Sequence, residues 1–173
     1  QDWHYELLSK LKNPYLMRWL RNEVSRFMDE LLREITAEKE YISQTLIALE
    51  TTLNRHERTI VELAAIATFL HNFYNGVENL LKRVLRFKKV PIPDSASSHK
   101  DLLDLAVDLR IITLDLSNTL DGYRAFRHFF VHGYSVTLNE MRLRPLAEHL
   151  PNVWQQFESE LATFVASMKK TNG

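Results

Sequence analysis

Residues 14–53 read PYLMRWLRNEVSRFMDELLREITAEKEYISQTLIALETTL. Apolar side chains recur in this stretch mostly at steps of three and four, with charged residues between them, which is typical of an amphipathic helix. They are Leu16, Trp19, Leu20, Val24, Phe27, Leu31, Ile35, Ile42, Leu46, Leu49 and Leu53. Pro14 suits the first helical position, where a backbone N–H would have no partner. The pattern predicts one helix of about forty residues, with an interruption near Asn22 as the alternative.

The rest of the chain shows the same helical spacing, divided by four glycines and five prolines. The further predicted helices cover residues 3–12, 56–87, 98–109, 116–131 and 145–169. We expect Pro151 to kink the last of them. Residues 88–98, KKVPIPDSASS, combine two prolines with small polar side chains and are predicted to be a loop. Because no segment alternates apolar and polar residues as a strand does, the sequence predicts an all-α bundle.

The composition is that of a globular domain. The chain has 173 residues, enough for one domain with a core, and 45% of them are apolar and 25% charged. A formal net charge of zero argues against a protein that coats nucleic acid without specificity, although it allows a local basic site. The lack of cysteine excludes disulfides, thiolate zinc sites and cysteine nucleophiles.

Two features bear on the location of the protein. The longest apolar run, residues 63–70, is far shorter than the ~20 residues that cross a bilayer. The first residues lack the basic-then-apolar pattern of a secretory signal, and the lack of cysteine fits a reducing compartment. We therefore expect a cytoplasmic protein without a membrane segment.

Residues 127–134, RHFFVHGY, combine an arginine, two histidines and a tyrosine. Arginine supplies a permanent planar cation that suits phosphate oxygens, and histidine exchanges a proton near neutral pH. Together they are the minimum needed to cleave a phosphodiester without a metal. Arg127 and His132 lie five residues apart, so on a regular helix they point about 140° apart. They can share a phosphate only if the helix ends before His132, if another helix completes the site, or if a second copy of the chain contributes.

Two other interpretations of these residues are open. In the simpler one, Arg127 pairs with an acidic residue across the bundle and His132 caps the helix. In the other, His128 and His132 bind zinc, because they are four residues apart on one helix face. The third ligand would then be His71, His99, His149 or a remote carboxylate. The positive charge of the neighbouring arginines disfavours a metal ion, and we predict none.

Basic residues also cluster outside this stretch. Five of them fall at the end of the helix predicted for residues 56–87 and just beyond it, with no acidic residue among them. They are Lys82, Arg83, Arg86, Lys88 and Lys89. Arg142 and Arg144 follow the motif. Such a run is usually a solvated helix C-terminus, but it is also a natural place for the phosphates of a bound RNA.

Residues 71–75, HNFYN, form a polar and aromatic cluster beside the longest apolar run. Buried amides and tyrosines usually serve to satisfy one another's hydrogen bonds. We interpret this cluster in that way.

Three segments resemble the HEPN superfamily and, within it, the HepT-like ribonuclease toxins. The first is YRAFRHFFVHGY, residues 123–134, with the Arg-x4-His-x-Tyr motif near the end of a late helix. The others are LHNFYNGVENLLKRV, residues 70–84, and SSHKDLL, residues 97–103. The resemblance covers roughly residues 29–169. We expect an N-terminal extension of uncertain role, residues 1–25, and a HEPN-like helical domain, residues 26–170.

The resemblance implies a bundle of four to five helices that forms a homodimer, with the motif helices facing each other across a cleft. Arginine and histidine from two copies could then surround one phosphate. By position, Arg127 would hold the scissile phosphate and stabilise its developing charge. His132 would act as general base or acid, and His128 would orient these two. Cleavage would need no metal and no cofactor, and the substrate would be RNA because its 2′-hydroxyl is the nucleophile.

The resemblance also implies a protein partner. Similar toxins are neutralised by a nucleotidyltransferase antitoxin that transfers AMP to the motif tyrosine, here Tyr134. The added phosphate would compete with the substrate for Arg127. Further candidates for contacts with RNA phosphates are Arg124, Arg142, Arg144, Lys82, Arg83 and Arg86. The sequence departs from many members at Val131, where they carry arginine, and at Ser135, where they carry glycine.

The sequence therefore predicts a cytoplasmic, dimeric, metal-independent endoribonuclease that acts as the toxin of a toxin–antitoxin pair. The first alternative is a non-catalytic HEPN module that binds or scaffolds a nucleotidyltransferase. The second is a purely structural helical oligomer.

Overall fold

The computed structural model describes residues 13–92, 98–131 and 138–171. Within them the chain forms five helices, and no strand is present in these ranges. The helices are α1 (Pro14–Leu53), α2 (Ile60–Phe87), α3 (Ser98–Asp108), α4 (Leu114–Val131) and α5 (Glu140–Thr171). The predicted all-α bundle is confirmed. The helix predicted for residues 3–12, His132 and Tyr134 lie outside the described residues.

Helix α1 runs without interruption for 40 residues. The side chain of Asn13 caps it, because Oδ1 accepts hydrogen bonds from the backbone N–H groups of Tyr15 and Leu16. The interruption considered near Asn22 is absent, since one asparagine costs a helix only a fraction of a kcal/mol, up to about 0.7. Residues 14–25 are therefore continuous with the rest of α1. The division of the chain near residue 25 stays a prediction.

Helix α2 begins at Ile60, not near residue 56 as predicted. Thr59 and Glu62 form a capping box, in which Oγ1 of Thr59 accepts from the N–H of Val61 and the Glu62 carboxylate accepts from the N–H of Thr59. The hydrogen bond from the Thr59 hydroxyl is the main cause that lowers the pKa of Glu62. The cap fixes the helix start, so residues 56–59 belong to the connection.

Helix α5 begins at Glu140, whereas the sequence predicted an extended connection as far as Pro145. Asn139 caps the helix through its side chain, and Arg58 forms an ion pair with Glu140 in the first turn. Both Pro145 and Pro151 lie inside the helix. The buried face of α5 offsets the roughly 3 kcal/mol that an internal proline costs. That face consists of Leu143, Ala147, Leu150, Val153, Trp154, Phe157, Leu161, Val165 and Met168.

Helix α2 is the centre of the bundle and packs against each of the other four helices. Phe73 on α2 meets the rings of Tyr123 on α4 and Trp154 on α5 in edge-to-face contacts. Gly76 lets α1 approach closely, since a Cβ there would lie 2.7 Å from Cδ1 of the buried Ile42. The central position of α2 means that its polar side chains can reach α3 and α4.

The first third of α1 leaves most of its apolar side chains exposed. The helix starts at Pro14, and its first buried side chain is that of Met28. Trp19 and Phe27 line a groove of about 980 Å³, which Phe87 at the end of α2 and Phe164 near the end of α5 also line. Among the described residues, no helix combines the length and hydropathy that a bilayer-spanning segment requires.

Candidate active site

Arg127 on α4 is held by hydrogen bonds from two other helices. Its Nε donates to Oδ1 of Asn75 on α2 across 2.6 Å, and its Nη1 lies 3.1 Å from Nε2 of His99 in the first turn of α3. The guanidinium is half-buried. Two contacts from different directions fix the plane of the group, so Arg127 presents its charge in a defined orientation.

A buried carboxylate bonds the ring nitrogen of His99 that does not face Arg127. Glu78 on α2 is only 2% exposed, and its Oε1 lies 2.5 Å from Nδ1 of His99. The ammonium of Lys82, one turn later on the same helix, lies 3.6 Å from the other oxygen of Glu78. Burying a carboxylate is costly unless it is paired and hydrogen-bonded, and these two contacts meet that need. The result is a continuous path from Glu78 through His99 to Arg127.

The donors and acceptors assign the proton on His99. An arginine can only donate, so Nε2 of His99 must carry a lone pair towards Arg127. The neutral ring then carries its proton on Nδ1 and donates it to Glu78. His99 is therefore a neutral histidine with its basic nitrogen directed at the guanidinium.

The same reasoning applies on the other side of Arg127. Because Oδ1 of Asn75 accepts from Arg127, the amide Nδ2 must donate to Nε2 of His71, 2.8 Å away. His71 is therefore also neutral. Burial and the positive charge of Arg127 lower the pKa of His71, against a smaller raising effect of Glu78. Its Nδ1 is buried and has no hydrogen-bond partner among the described residues.

Arg127 differs in its partners from the other half-buried arginines. Arg83 pairs with Glu34 and Glu38, and Arg124 pairs with Asp121. Within the described ranges, no carboxylate forms an ion pair with Arg127. The simpler interpretation expected an acidic partner for Arg127 across the bundle. Among the described residues, the partners across the bundle are instead an amide and an imidazole, which leave the charge of Arg127 unneutralised there.

Of the other candidate catalytic residues, His128 lies within the described residues. His128 is exposed on α4, about 100° around the helix from Arg127. The hydrogen bonds that hold Arg127 come from Asn75 and His99. His132 and Tyr134 lie outside the described residues, so their roles stay predictions, as does the orienting role of His128. No group of three or more metal-ligating side chains occurs in the part of the chain that the structure describes.

Most of the candidate RNA-contacting residues already have acidic partners. Arg83 bridges Glu34 at 2.9 Å and Glu38 at 3.3 Å. Arg124 pairs with Asp121 at 2.6 Å, and Arg144 pairs with Glu148 at the same distance. Lys82 lies near Glu78, whereas Arg86 and Arg142 are exposed. A phosphate would have to compete with a carboxylate at the paired positions.

Three residues of this arrangement were missed in the sequence: Asn75, Glu78 and His99. Residues 71, 75 and 78 follow helical spacing, so they place a polar stripe on one face of an otherwise apolar helix. That stripe was the available signal, and the interpretation of residues 71–75 as mutually satisfied captured only the bond between His71 and Asn75. His99 was considered as a metal ligand and as part of the segment SSHKDLL that resembles the family, but it was given no role beside Arg127. No local pattern connects it to Arg127.

The fold is an all-α bundle of the HEPN type. A family model described as HepT-like protein matches residues 65–168, from the first turns of α2 to the last turn of α5. The chain belongs to this HepT-like family, as its motifs predicted. No curated protein and no solved structure matches the chain.

Proposed function

We propose that the protein is a metal-independent endoribonuclease, the toxin of a toxin–antitoxin pair, and that Arg127 binds the scissile phosphate. The observation that supports this best is the environment of Arg127. Two neutral groups, the amide of Asn75 and the imidazole of His99, orient its guanidinium without neutralising it. An oriented cation that no carboxylate of the described residues neutralises favours a phosphate, which accepts charge-assisted hydrogen bonds from it.

The proposed reaction is attack by the 2′-hydroxyl of RNA on the adjacent phosphorus. Negative charge builds up on the phosphoryl oxygens in the transition state, and a fixed arginine stabilises it without reorganising. His132 transfers a proton to or from the reacting oxygens. The products are a 2′,3′-cyclic phosphate, or its hydrolysis product, and a 5′-hydroxyl.

The proposal includes a homodimer and an antitoxin. Pairing of the motif helices would bring His132 of the partner subunit to the phosphate held by Arg127, which resolves the angular separation of the two residues on one helix. A nucleotidyltransferase that transfers AMP to Tyr134 would place a phosphate beside Arg127 and exclude the substrate. The solution mass tests the dimer, and intact mass spectrometry of protein made with and without the antitoxin tests the modification.

The decisive experiment incubates the purified, unmodified protein with tRNA and mRNA in the presence of a chelator. We expect cleavage that chelation leaves unchanged and that Arg127→Gln and His132→Ala abolish. Arg55→Gln is the matched control, because Arg55 is an exposed arginine paired with Glu62 at the start of α2. Intact RNA at high concentrations of the wild-type protein would contradict the proposal and favour a non-catalytic module.

A further inference from the structure

We infer that His99 is the general base of this site, accepting the proton of the 2′-hydroxyl, and that Glu78 holds it in the tautomer this requires. The inference depends on the proposed function of Arg127 as the phosphate-binding group. It assigns a catalytic role to a residue outside the Arg-x4-His-x-Tyr motif and leaves the protonation of the leaving oxygen to His132.

The position of His99 fits a group that meets the substrate. Its side chain is 38% exposed, although Nδ1 is bonded to the buried Glu78. Its Nε2 lies 3.1 Å from Nη1 of Arg127. A phosphate oxygen that accepts from the same nitrogen at about 2.9 Å lies no more than about 6 Å from Nε2. The inference places the 2′-hydroxyl next to that phosphate within hydrogen-bond distance of the imidazole.

The protonation state of His99 suits a base and not an acid. The ring is neutral, its lone pair on Nε2 faces Arg127, and its proton on Nδ1 is donated to Glu78. A carboxylate in this position fixes the tautomer and stabilises the imidazolium that forms when Nε2 takes up a proton. The charged groups around the ring are Glu78 and Lys82 from α2 and Arg127 from α4. Glu78 offsets the repulsion between the imidazolium and Arg127.

His71 provides an internal comparison on the other side of Arg127. It is also neutral, but its Nε2 is occupied by the amide of Asn75. Burial and the charge of Arg127 both disfavour its protonated form, and no carboxylate accepts from its Nδ1 among the described residues. Of the two histidines beside the guanidinium, only His99 combines exposure with a carboxylate that stabilises its protonated form.

The proposed step transfers two protons, one to His99 and one from His132. A phosphate oxygen replaces Nε2 of His99 as the acceptor for Arg127, which frees the lone pair of the imidazole. The 2′-hydroxyl proton moves to Nε2 while the 2′-oxygen forms its bond to phosphorus. The bond from phosphorus to the 5′-oxygen breaks, and the 5′-oxygen takes a proton from His132. His99 then returns its proton to solvent, and His132 takes one up from solvent.

The variant His99→Gln separates proton transfer from positioning. Glutamine can accept from Arg127 through Oε1 and donate to Glu78 through Nε2, but it cannot take up a proton. We expect kcat to fall by about 100-fold or more. Binding of a 2′-deoxy analogue of the substrate should change by less than about threefold, because Arg127 keeps its bond to Asn75 and its charge for the phosphate. His149→Gln, at an exposed histidine of α5, is the matched control and should keep wild-type kcat.

A substrate with sulfur in place of the scissile 5′-oxygen identifies the role. A thiolate leaves without being protonated, so this substrate rescues the loss of a general acid but not the loss of a general base. We expect His99→Gln to remain defective on it and His132→Gln to recover. Rescue of His99→Gln, cleavage of ordinary RNA within about threefold of wild type, or a defect in analogue binding alone would each overturn the assignment.

Glu78→Gln gives a second test if His99→Gln does not fold. It keeps an oxygen that accepts from Nδ1 but removes the negative charge, so kcat should fall at least about tenfold with KM nearly unchanged. Unchanged kcat would contradict the inference. A wild-type protein that cleaves RNA and loses activity in Arg127→Gln, but not in these variants, would refute only the role of His99. A wild-type protein without cleavage would refute the proposed function as well.

Discussion

Nη1 of Arg127 lies 3.1 Å from Nε2 of His99, which bonds the motif-bearing helix α4 directly to the first turn of α3. The two residues are 28 positions apart in the chain. The contact places a cation and a neutral imidazole together within one copy of the protein. One copy of the protein is therefore enough to form an arginine–histidine pair.

The first prediction concerns the shape of the cation. Arg127→Lys keeps the charge but removes the planar fork that reaches Asn75 and His99 together. We expect kcat/KM for RNA cleavage to fall by about 100-fold or more, measured with a defined oligoribonucleotide. Arg55→Lys, at an exposed arginine, should stay within about twofold of wild type. Equal activity of Arg127→Lys and wild type would show that charge alone is sufficient.

The second prediction concerns the buried carboxylate. Glu78→Ala leaves the Nδ1–H of His99 without its acceptor, which should reduce the free energy of unfolding by about 1–3 kcal/mol. Glu78→Gln retains an acceptor oxygen and should cost less. Glu40→Ala, at an exposed position on α1, should stay within about 0.5 kcal/mol of wild type. Urea unfolding at constant m-value measures all three, and a fully stable Glu78→Ala would exclude a structural role for the bond.

The third prediction follows from the lowered pKa of His71. Burial and the charge of Arg127 lower this pKa below its ordinary value of 6.5, so the unfolded chain binds the proton more readily than the folded one. The contribution to stability is fully present above the ordinary pKa and is lost as the pH falls from there through the lower pKa of the folded state. Urea unfolding between about pH 8 and about pH 5.5 should show a steeper loss for wild type than for His71→Gln. An equal loss of unfolding free energy in the two proteins would contradict the lowered pKa of His71.

The fourth prediction compares two helical glycines. A Cβ at Gly76 would lie 2.7 Å from Cδ1 of the buried Ile42, so Gly76→Ala should destabilise the protein by about 1–3 kcal/mol. A Cβ at Gly122 meets only Cδ2 of Leu146, at 3.9 Å. Gly122→Ala should therefore stabilise the protein by about 0.5–1 kcal/mol through its helix propensity. Thermal unfolding should shift in opposite directions, and a shift in the same direction would contradict the packing argument.

The helices could be predicted because each long amphipathic pattern lies within one continuous segment of the sequence. The helix over residues 14–53 and the helix end at residue 87 agree with the structure. The predicted starts of α2 and α5 were wrong by four and five residues. The helices begin at Ile60 and Glu140, because Thr59 and Asn139 cap them, and these caps were overlooked. Those caps are visible in the sequence, so these errors are errors of interpretation.

The family was predictable for a similar reason. The Arg-x4-His-x-Tyr motif and the two upstream segments are contiguous patterns, and the matched region, residues 65–168, contains all three. The predicted resemblance began earlier, near residue 29, so the match supports it over a shorter range.

Local patterns in the sequence were enough to predict that the chain is helical, that Arg127 lies near the end of a late helix, and that the protein belongs to the HepT-like family. The packing of the helices determines which groups surround that arginine. Asn75 and His99 lie 52 and 28 residues away from it in the chain. Their meeting depends on how α2 packs against α3 and α4, and the contact between α2 and α4 is stabilised by apolar side chains such as Phe73 and Tyr123. Helical periodicity shows which face of a helix is buried but not which helix covers it, so the partners of Arg127 could not be predicted from local pattern.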